Sequence, residues 1–260
     1  MPLYRSAKRS GAVARSRSKL PRPDWKSVLK WEAGRSAFRR FLPGRSVVPL
    51  FLSLLAAACS SSSEREVPRD PRANLYGVSI ASLQENPQLC LFALGASGHN
   101  LTSVPDRPLQ NGCGITNAIE ISGTSVNFNN GFIASCPLAA TYAIFEADVL
   151  QPAARKHFGQ PVTKVEHWGT YACRNRNNRM AGPRSEHATG NAIDIAGFTL
   201  ADGRRITVLN GWHGRSDERA FLREIHLGAC SLFQGVIGPD HDAAHRDHLH
   251  LDMGRWRFCR

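Results

Sequence analysis

Apolar side chains recur at helical spacing in three stretches of this chain. The clearest is 136–158, where apolar residues return every three or four positions, as they do on the buried face of a helix. Pro152 is expected to kink or split this helix, because proline has no backbone N–H to donate to the preceding turn. A shorter helix is expected near 86–96. A third is expected to begin at Ser216, as its N-cap, and to run toward Cys230.

Runs of alternating, β-branched and aromatic residues predict the strands. They lie at 118–121, 125–128, 162–171, 191–200, 204–209, 234–237 and 248–252. Asp202-Gly203 predicts a hairpin turn between two of these strands. Helices that come early, followed mostly by strands, indicate an α+β domain in which helices flank an antiparallel sheet.

The start of the chain has the features of an export leader. A basic stretch precedes the uncharged apolar run 47–58, which is too short to cross a membrane as a helix and has the length of a signal-peptide core. A polar segment with several Ser and Pro residues comes next, and such a composition is typical of a flexible linker. We therefore expect a leader with a signal peptide at 1–58, a linker at 59–84 and one folded domain at 85–260.

Ala56-Ala57-Ala58-Cys59 resembles a bacterial lipobox, although Ala56 stands where leucine is usual. In this interpretation Cys59 is the lipid-attachment residue and the mature protein is held at a membrane by its N-terminal lipid. The alternative is cleavage by ordinary signal peptidase near the small residues, which leaves Cys59 without a special role. No Asp follows Cys59, so the expected location is the periplasmic side of the outer membrane.

The net charge of +12 at first suggests an anionic partner such as nucleic acid. Residues 1–46 contain 13 Lys or Arg and 2 Asp or Glu, whereas residues 47–260 contain 20 and 19. The basic character therefore belongs to the leader, and the remainder has no basic patch of the kind that predicts a nucleic-acid partner.

The cysteine content also indicates export. With Cys59 set aside, an even set remains without a Cys-x-x-Cys pair: Cys90, Cys113, Cys136, Cys173, Cys230 and Cys259. Such a set in an oxidising compartment predicts three disulfides, whose pairing the sequence does not determine. One expected pair is Cys230 with Cys259, and Cys173 is expected to pin the strand beside Arg174.

Two distant segments carry metal-binding residue types. They are Ser185-Glu-His-Ala-Thr-Gly-Asn-Ala-Ile-Asp194 and His245-Arg-Asp-His-Leu-His-Leu-Asp252. Catalytic zinc takes three nitrogen or oxygen ligands from the protein and keeps a fourth position open. His187, Asp194 and one histidine of the second segment supply these three ligands. Two imidazoles and a carboxylate also suit non-haem iron, but nothing else here indicates an oxygenase, so zinc is the expected metal.

Side-chain alternation orders the second segment. In a strand, His248, His250 and Asp252 share one face and the leucines between them face the core. One imidazole can then bind the metal while its neighbour faces the open position. The same alternation places Asp247 on the face opposite His248, which argues against a bond between them. Gly190 is expected to let its turn pass close to the metal, because it has no Cβ.

These segments carry a resemblance to known proteins. Ser-x-His-x-x-Gly-x-x-x-Asp followed by Asp-His-x-His resembles the zinc D-Ala-D-Ala carboxypeptidases, within the hedgehog-like metal folds. Together with Tyr171-Ala-Cys-Arg174, the segments are similar to the bacterial extensin-like C-terminal domain family over roughly residues 85–260. The resemblance implies a zinc fold like that of the hedgehog-like proteins and DD-peptidases, here stapled by the disulfides expected above, and a metallopeptidase domain.

The resemblance also implies roles for single residues. His187, Asp194 and His250 would hold one Zn²⁺ ion per domain, and His248 would be the general base or acid. Arg174 would stabilise the oxyanion or hold a substrate carboxylate, the alternative being a structural ion pair.

Other polar residues of the segments are expected around this centre. Ser185, His245, Asp247 and Asp252 are expected to contact substrate or to support the ligands. Ser185 is not expected to be a nucleophile, because no Gly-x-Ser-x-Gly elbow surrounds it. The remaining histidines are taken as surface or structural residues: His99, His157, His167, His213, His226 and His241.

The function that these features imply is a zinc-dependent peptidase, exported to the periplasm. Its expected substrates are the amide bonds of peptidoglycan stem peptides or crosslinks, cut as a carboxypeptidase or an endopeptidase. The expected partners are peptidoglycan peptides and a membrane reached through the lipid anchor. The alternative is a non-catalytic, metal-containing lipoprotein that binds the cell wall. His248 and Arg174 favour catalysis, because a structural metal site needs neither residue.

Overall fold

The computed structural model describes residues 74–75, 77–96 and 100–260. The leader, Cys59, most of the linker and His99 lie outside these residues. The described α-helices are α1 (Ile80–Glu85), α2 (Pro87–Ala96), α3 (Cys136–Phe145), α4 (Gln151–Phe158), α5 (Val208–Gly211) and α6 (Ser216–Leu232). The described strands are β1 (Asn74–Leu75), β2 (Val78–Ser79), β3 (Asn100–Ser103), β4 (Arg107–Gln110), β5 (Cys113–Ile115), β6 (Ala118–Gly123), β7 (Asn127–Phe128), β8 (Phe132–Ser135), β9 (Val162–His167), β10 (Ala192–Leu200), β11 (Arg205–Thr207), β12 (Gly235–Ile237), β13 (Leu249–Asp252) and β14 (Phe258–Cys259). None of the described helices combines the length and the apolar character needed to cross a bilayer.

The largest sheet of the described residues has the strand order β14-β12-β13-β10-β9-β7, and β11 also pairs with β10. Its inner pairs are antiparallel, while β14 and β7 at its edges run parallel to their neighbours. A smaller antiparallel sheet has the order β3-β6-β8. The prediction of an α+β domain with antiparallel sheets and flanking helices is confirmed.

Strand β10 is the central element of the large sheet. Eight of its nine residues are buried, since it is covered on both faces. Ile193 and Ile195 pair with Leu251 and Leu249 of β13, and all four side chains are at most 1% exposed. Their packing fixes the register of the two strands, because a one-residue slip would turn these apolar side chains to the opposite face. The same register places Asp194 directly opposite His250.

The helical stretch predicted from apolar spacing is continuous from Cys136 to Phe158. It consists of α3, a π-helical segment Glu146–Leu150, and α4. Pro152 is the second residue of α4, just after the π-helical segment. A proline cannot supply the usual N–H to the preceding turn, and π segments adjust the hydrogen-bond ladder at such points. The helix is therefore not split at Pro152: the helical backbone continues through this residue, and its hydrogen-bond pattern changes just before it.

All six cysteines of the described residues are paired. The disulfides are Cys90–Cys136, Cys113–Cys173 and Cys230–Cys259, which confirms the expected number and the expected Cys230–Cys259 pair. Cys113–Cys173 joins β5 to the segment just before Arg174. Each disulfide restricts the unfolded chain, which stabilises the fold.

Two local predictions are wrong. Ser216 is the first residue of α6 rather than its N-cap; Arg215 takes the cap position and makes no side-chain capping bond. The acidic residues of the first turn instead bind Arg204, through Asp217 at 2.9 Å and Glu218 at 2.7 Å. The strand predicted over 162–171 ends at His167, because the chain turns after it at Gly169, whose φ of 106° disfavours residues with a side chain.

His167, at the end of β9, is a structural histidine with a predictable pH dependence. It is 5% exposed; its Nε2–H donates to the Asn130 carbonyl at 2.9 Å, and its Nδ1 accepts the Gly169 N–H at 3.0 Å. The neutral ring therefore satisfies both contacts, and burial lowers the pKa of His167.

We expect His167→Gln to reduce the loss of stability on mild acidification. The unfolded chain protonates this residue near pH 6.5, whereas the folded chain protonates it only at a lower pH. Stability is therefore lost as pH falls from 6.5 toward the folded pKa. Urea unfolding at about pH 7.5 and about pH 5 measures the difference. Burial also lowers the pKa of His226. This residue is present in both the variant and the wild type, so its effect on stability cancels in the comparison. An equal acid-induced loss in the variant and the wild type would contradict this prediction.

Candidate metal centre

Three side chains from separate elements meet in one buried cluster. His187 lies on the 3-10 turn Glu186–Thr189, Asp194 on β10, and His250 on β13 opposite Asp194. The turn is capped by Ser185, whose Oγ accepts the His187 N–H at 3.4 Å. Gly190 ends it with a φ of 63°. The short turn and the two paired strands thus hold the three side chains in fixed positions.

The donor atoms of the cluster are close to one another. His187 Nε2 lies 3.0 Å from Asp194 Oδ2, and His250 Nδ1 lies 2.8 Å from Asp194 Oδ1. The two imidazole nitrogens are 3.3 Å apart. Metal–ligand bonds of about 2.0–2.2 Å in a tetrahedral zinc site separate the ligand atoms by roughly 3.3 Å. Both the donor types and their separations fit a zinc ion, so these residues form the candidate metal centre.

Hydrogen bonds on the outer side of the cluster orient both imidazoles. His187 Nδ1–H donates to the Thr170 carbonyl at 3.2 Å, and His250 Nε2–H donates to Asp252 Oδ2 at 3.2 Å. Each bond occupies the nitrogen that faces away from Asp194. The opposite nitrogen is left to bind a metal, an arrangement typical of histidine ligands in metal sites.

The cluster has unusual acid–base properties. Burial would raise the pKa of Asp194, but hydrogen bonds from His187 and His250 outweigh it and hold this pKa far below its usual range. Burial would lower the pKa of His250, yet hydrogen bonds to Asp194 and Asp252 raise it to about 9. A positive charge is therefore favoured between these carboxylates. A divalent cation would satisfy the same need and displace the proton.

His248 lies beside the cluster and not within it. Its Nε2 is 3.6 Å from Asp194 Oδ1, and the Trp168 ring packs against its ring with centroids 5.0 Å apart. Its Nδ1–H donates to Asp247 Oδ1 at 3.0 Å, so the prediction that Asp247 faces away from His248 is wrong. Strand β13 begins only at Leu249, and side-chain alternation therefore does not extend to these two residues. An imidazole held by a carboxylate in this way is well placed to transfer protons.

His245 adds a fourth imidazole to the site, at the edge of the cluster. Its ring centroid lies 5.1 Å from that of His248 and 5.9 Å from that of His250. Its Nδ1 is 2.6 Å from Asp242 Oδ1, and burial lowers the pKa of His245 in spite of this contact. His245 therefore lies beside the three close donors, in the position of a supporting or substrate-facing residue.

Arg174 and Ser185 both line the cleft beside the cluster. The Ser185 N–H donates to the Arg174 carbonyl at 3.1 Å, so the capping serine also holds the arginine backbone. The Arg174 side chain is half-buried. Within the described part of the chain its guanidinium has no hydrogen bond or ion pair. The alternative of a structural ion pair is therefore not supported, and the charge is available to a ligand.

The cluster opens onto a cleft of about 570 Å³. Asp194, His248 and His250 contribute to its lining, and Arg174 lies on its wall. Two exposed aromatic residues also line it: Trp168 is 59% exposed and Trp256 is 62% exposed. Further arginines on the lining are Arg176, Arg179 and Arg255. The cleft therefore combines a buried anionic centre with arginine and aromatic side chains on its border, where Arg176 is paired with Glu186 at 3.5 Å.

Sequence reasoning missed several contributors to this site. The sequence does not mark Thr170, because it acts through its backbone carbonyl. Trp168 carried no motif and lay inside the strand predicted over 162–171, whereas the strand ends just before it, at His167. Asp242 precedes His245 by three residues, and this spacing was the one available signal. The role expected for Gly190 is wrong: a Cβ there would lie 2.8 Å from Ile115 Cδ1, so this glycine permits packing against β5 and not approach to the metal.

A second group of metal-binding residue types does not form such a site. His226 lies near Cys230 and Cys259, but the two sulfurs are joined in a disulfide. They therefore offer no thiolate, the form in which cysteine binds metal.

We expect Asp252→Asn to weaken zinc binding about 10- to 100-fold, the effect typical of losing an outer hydrogen-bond partner of a ligand. The amide keeps the size of the side chain but loses the charge that favours a proton on His250 Nε2. Competition with a chromophoric chelator measures the affinity. The exposed Asp148, replaced by Asn, is the matched control, and equal affinities in the two variants would contradict the role of Asp252.

One comparison with known proteins covers the whole candidate site. Residues 88–260 match the family model described as Extensin-like protein C-terminus. This span contains the three candidate ligands, His248 and Arg174. No curated protein and no solved structure matches the chain.

Proposed function

The chain belongs to the extensin-like protein C-terminus family, and from this premise we propose that it is an exported, zinc-dependent peptidase that hydrolyses amide bonds in peptidoglycan peptides. The observation that most strongly supports this proposal is that His187, Asp194 and His250 meet beside an open cleft. Structural zinc sites are normally closed by four protein ligands, whereas catalytic sites use three. A three-ligand centre that opens onto a cleft therefore favours catalysis.

His187, Asp194 and His250 are the residues that would hold the ion. Zinc bound there would polarise the amide carbonyl and make water a stronger acid. His248 Nε2 faces the cluster and would take the proton of the attacking water and pass it to the leaving amine. Asp247 would stabilise the charged imidazolium through the hydrogen bond from Nδ1.

Arg174 is proposed to bind the substrate. A guanidinium is always charged and donates through a planar fork, which suits either a peptide carboxylate or the oxyanion of the reaction. Its lack of a partner among the described residues and its place on the cleft wall support this role. Ser185 would act indirectly, by fixing both the His187 turn and the Arg174 backbone.

The location and the substrate class belong to the same proposal. The leader features at 1–58 and the lipobox-like Cys59 favour an outer-membrane lipoprotein in the periplasm. The three disulfides fit an oxidising compartment. Stem peptides of the cell wall are rich in carboxylates, and the arginines of the cleft border complement their charge.

The test is digestion of isolated peptidoglycan by the purified, disulfide-bonded protein. The metal is first removed with a chelator and zinc is then restored, and the released peptides are resolved by mass. We expect peptide release that is lost with the chelator and regained with zinc. Stoichiometric zinc with no release would refute the peptidase, and retained binding to the wall would then favour a non-catalytic wall-binding protein.

A further inference from the structure

A second groove adjoins the cleft at Trp168. It has a volume of about 480 Å³, and its lining includes Arg107, Asn130, Phe132, Trp168 and Tyr171. Trp168 also lines the cleft, so one exposed ring borders both. Each volume lies within the roughly 300–1,000 Å³ typical of ligand sites. Open surface therefore continues on both sides of this tryptophan.

The wall between groove and cleft is part of the metal centre. The Trp168 N–H donates to the Asp194 carbonyl at 2.9 Å, and the Thr170 carbonyl accepts from His187. The Trp168 ring rests on His248. A ligand that crosses this ring would therefore pass directly beside the groups proposed to act on the amide.

The groove has a cationic character. Arg107 is the one charged residue among the described residues that line it, since burial favours the neutral form of His167. Its guanidinium lies 4.9 Å from the centre of the Tyr171 ring. In the described ranges it has no acidic partner, and its side chain is exposed. An unpaired arginine thus stands on each side of Trp168, Arg107 in the groove and Arg174 in the cleft.

We propose that the groove binds an anionic peptide beyond the scissile amide, so that the protein cuts internal bonds of peptides with carboxylates on both sides. This inference rests on the proposed peptidase function and names its substrate class: crosslinked stem peptides. Removal of a single terminal residue would need binding on one side of Trp168 only. The second groove and its unpaired arginine would contact the substrate only when the substrate peptide continues past the cleaved bond.

The experiment compares two defined substrates with the zinc-loaded protein. One is a crosslinked stem-peptide dimer, and the other is the matching uncrosslinked peptide with a free C-terminus. We expect a higher kcat/KM for the dimer. Arg107→Gln is expected to raise KM for the dimer roughly 2- to 10-fold, the range of a lost ion pair at a partly exposed site, with a smaller change for the monomer. Arg107→Glu is expected to raise it further, and Arg107→Lys to keep most of the affinity.

The controls separate this inference from the function on which it rests. Arg155→Gln removes an exposed arginine that lines neither groove nor cleft and should leave both substrates unaffected. Thermal unfolding verifies that the Arg107 variants are folded. Terminal trimming of the monomer at least as fast as dimer cleavage, with no selective effect of Arg107, would overturn the inference and leave the peptidase standing. Zinc binding without hydrolysis of either substrate would overturn both.

Discussion

Asp194→Asn is expected to abolish stoichiometric zinc binding and, with it, peptide release from peptidoglycan. The carboxylate lies within 3.0 Å of the facing nitrogen of both imidazoles, and its strongly lowered pKa keeps it charged at every physiological pH. An amide of the same size removes the only negative charge among the three candidate ligands. The loss of affinity should therefore exceed the roughly 10- to 100-fold expected for an outer partner. Zinc content after dialysis and chelator competition measure it.

The control for this prediction is Asp148→Asn, an equivalent change at an exposed position. Because Asp194 is buried, the variant could also lose stability, and near-UV circular dichroism verifies the fold. His187→Gln removes a second candidate ligand, which lies on a different structural element. Normal zinc affinity in folded Asp194→Asn protein would exclude the carboxylate as a ligand. Loss of zinc in the control as well would point to an effect unrelated to the centre.

The predictable part of the fold lies where long periodic segments are buried. The apolar spacing over 136–158 and the alternation over 248–252 both reflect side chains that pack in the core, so their periods predict the element and its buried face. Leu249 and Leu251 are fully buried, and His250 and Asp252 occupy the alternate positions. The sequence could therefore place His250 and Asp252 on one face of their strand, whereas the pairing with β10 that sets Asp194 opposite His250 is known only from the structure.

The strands that escaped prediction have no such pattern. All four residues of β4 are exposed, so no apolar period marks it. Strand β14 has only two residues and is held in parallel pairing with β12 and by the disulfide of Cys259. These elements depend on backbone pairing and crosslinking, which leave little trace in local sequence.

The same distinction applies to the candidate site. Its three donor residues belong to motifs whose spacing is visible in sequence, and the fold brings their side chains together. The partners that orient them are less visible: Thr170 acts through its carbonyl, and Trp168 acts from a turn. The error at Asp247 has a related origin, because alternation was extended to two residues that precede the strand. Motifs thus identify the residues that would perform the chemistry, whereas the second groove becomes apparent only in three dimensions.

His248→Gln is expected to lower kcat about 10²- to 10⁴-fold, the usual contribution of a general base or acid, while zinc remains bound. The glutamine amide can still donate to Asp247, but it cannot carry a proton from water to the leaving amine. His248 is 7% exposed and its Nε2 faces the cluster, so bulk solvent is a poor substitute. The rate of peptide release at saturating substrate and the zinc content of the same preparation are measured together.

His213→Gln is the matched control, because the side chain of His213 is 72% exposed and lies outside the cleft lining. The two readouts distinguish the possible roles of His248. Loss of zinc in parallel with the rate would make His248 a ligand, since the proton-transfer role requires an intact centre. An unchanged rate with zinc bound would show that another group carries the proton. His245 would then be the group to test, because its ring lies 5.1 Å from that of His248 and burial keeps it neutral by lowering its pKa.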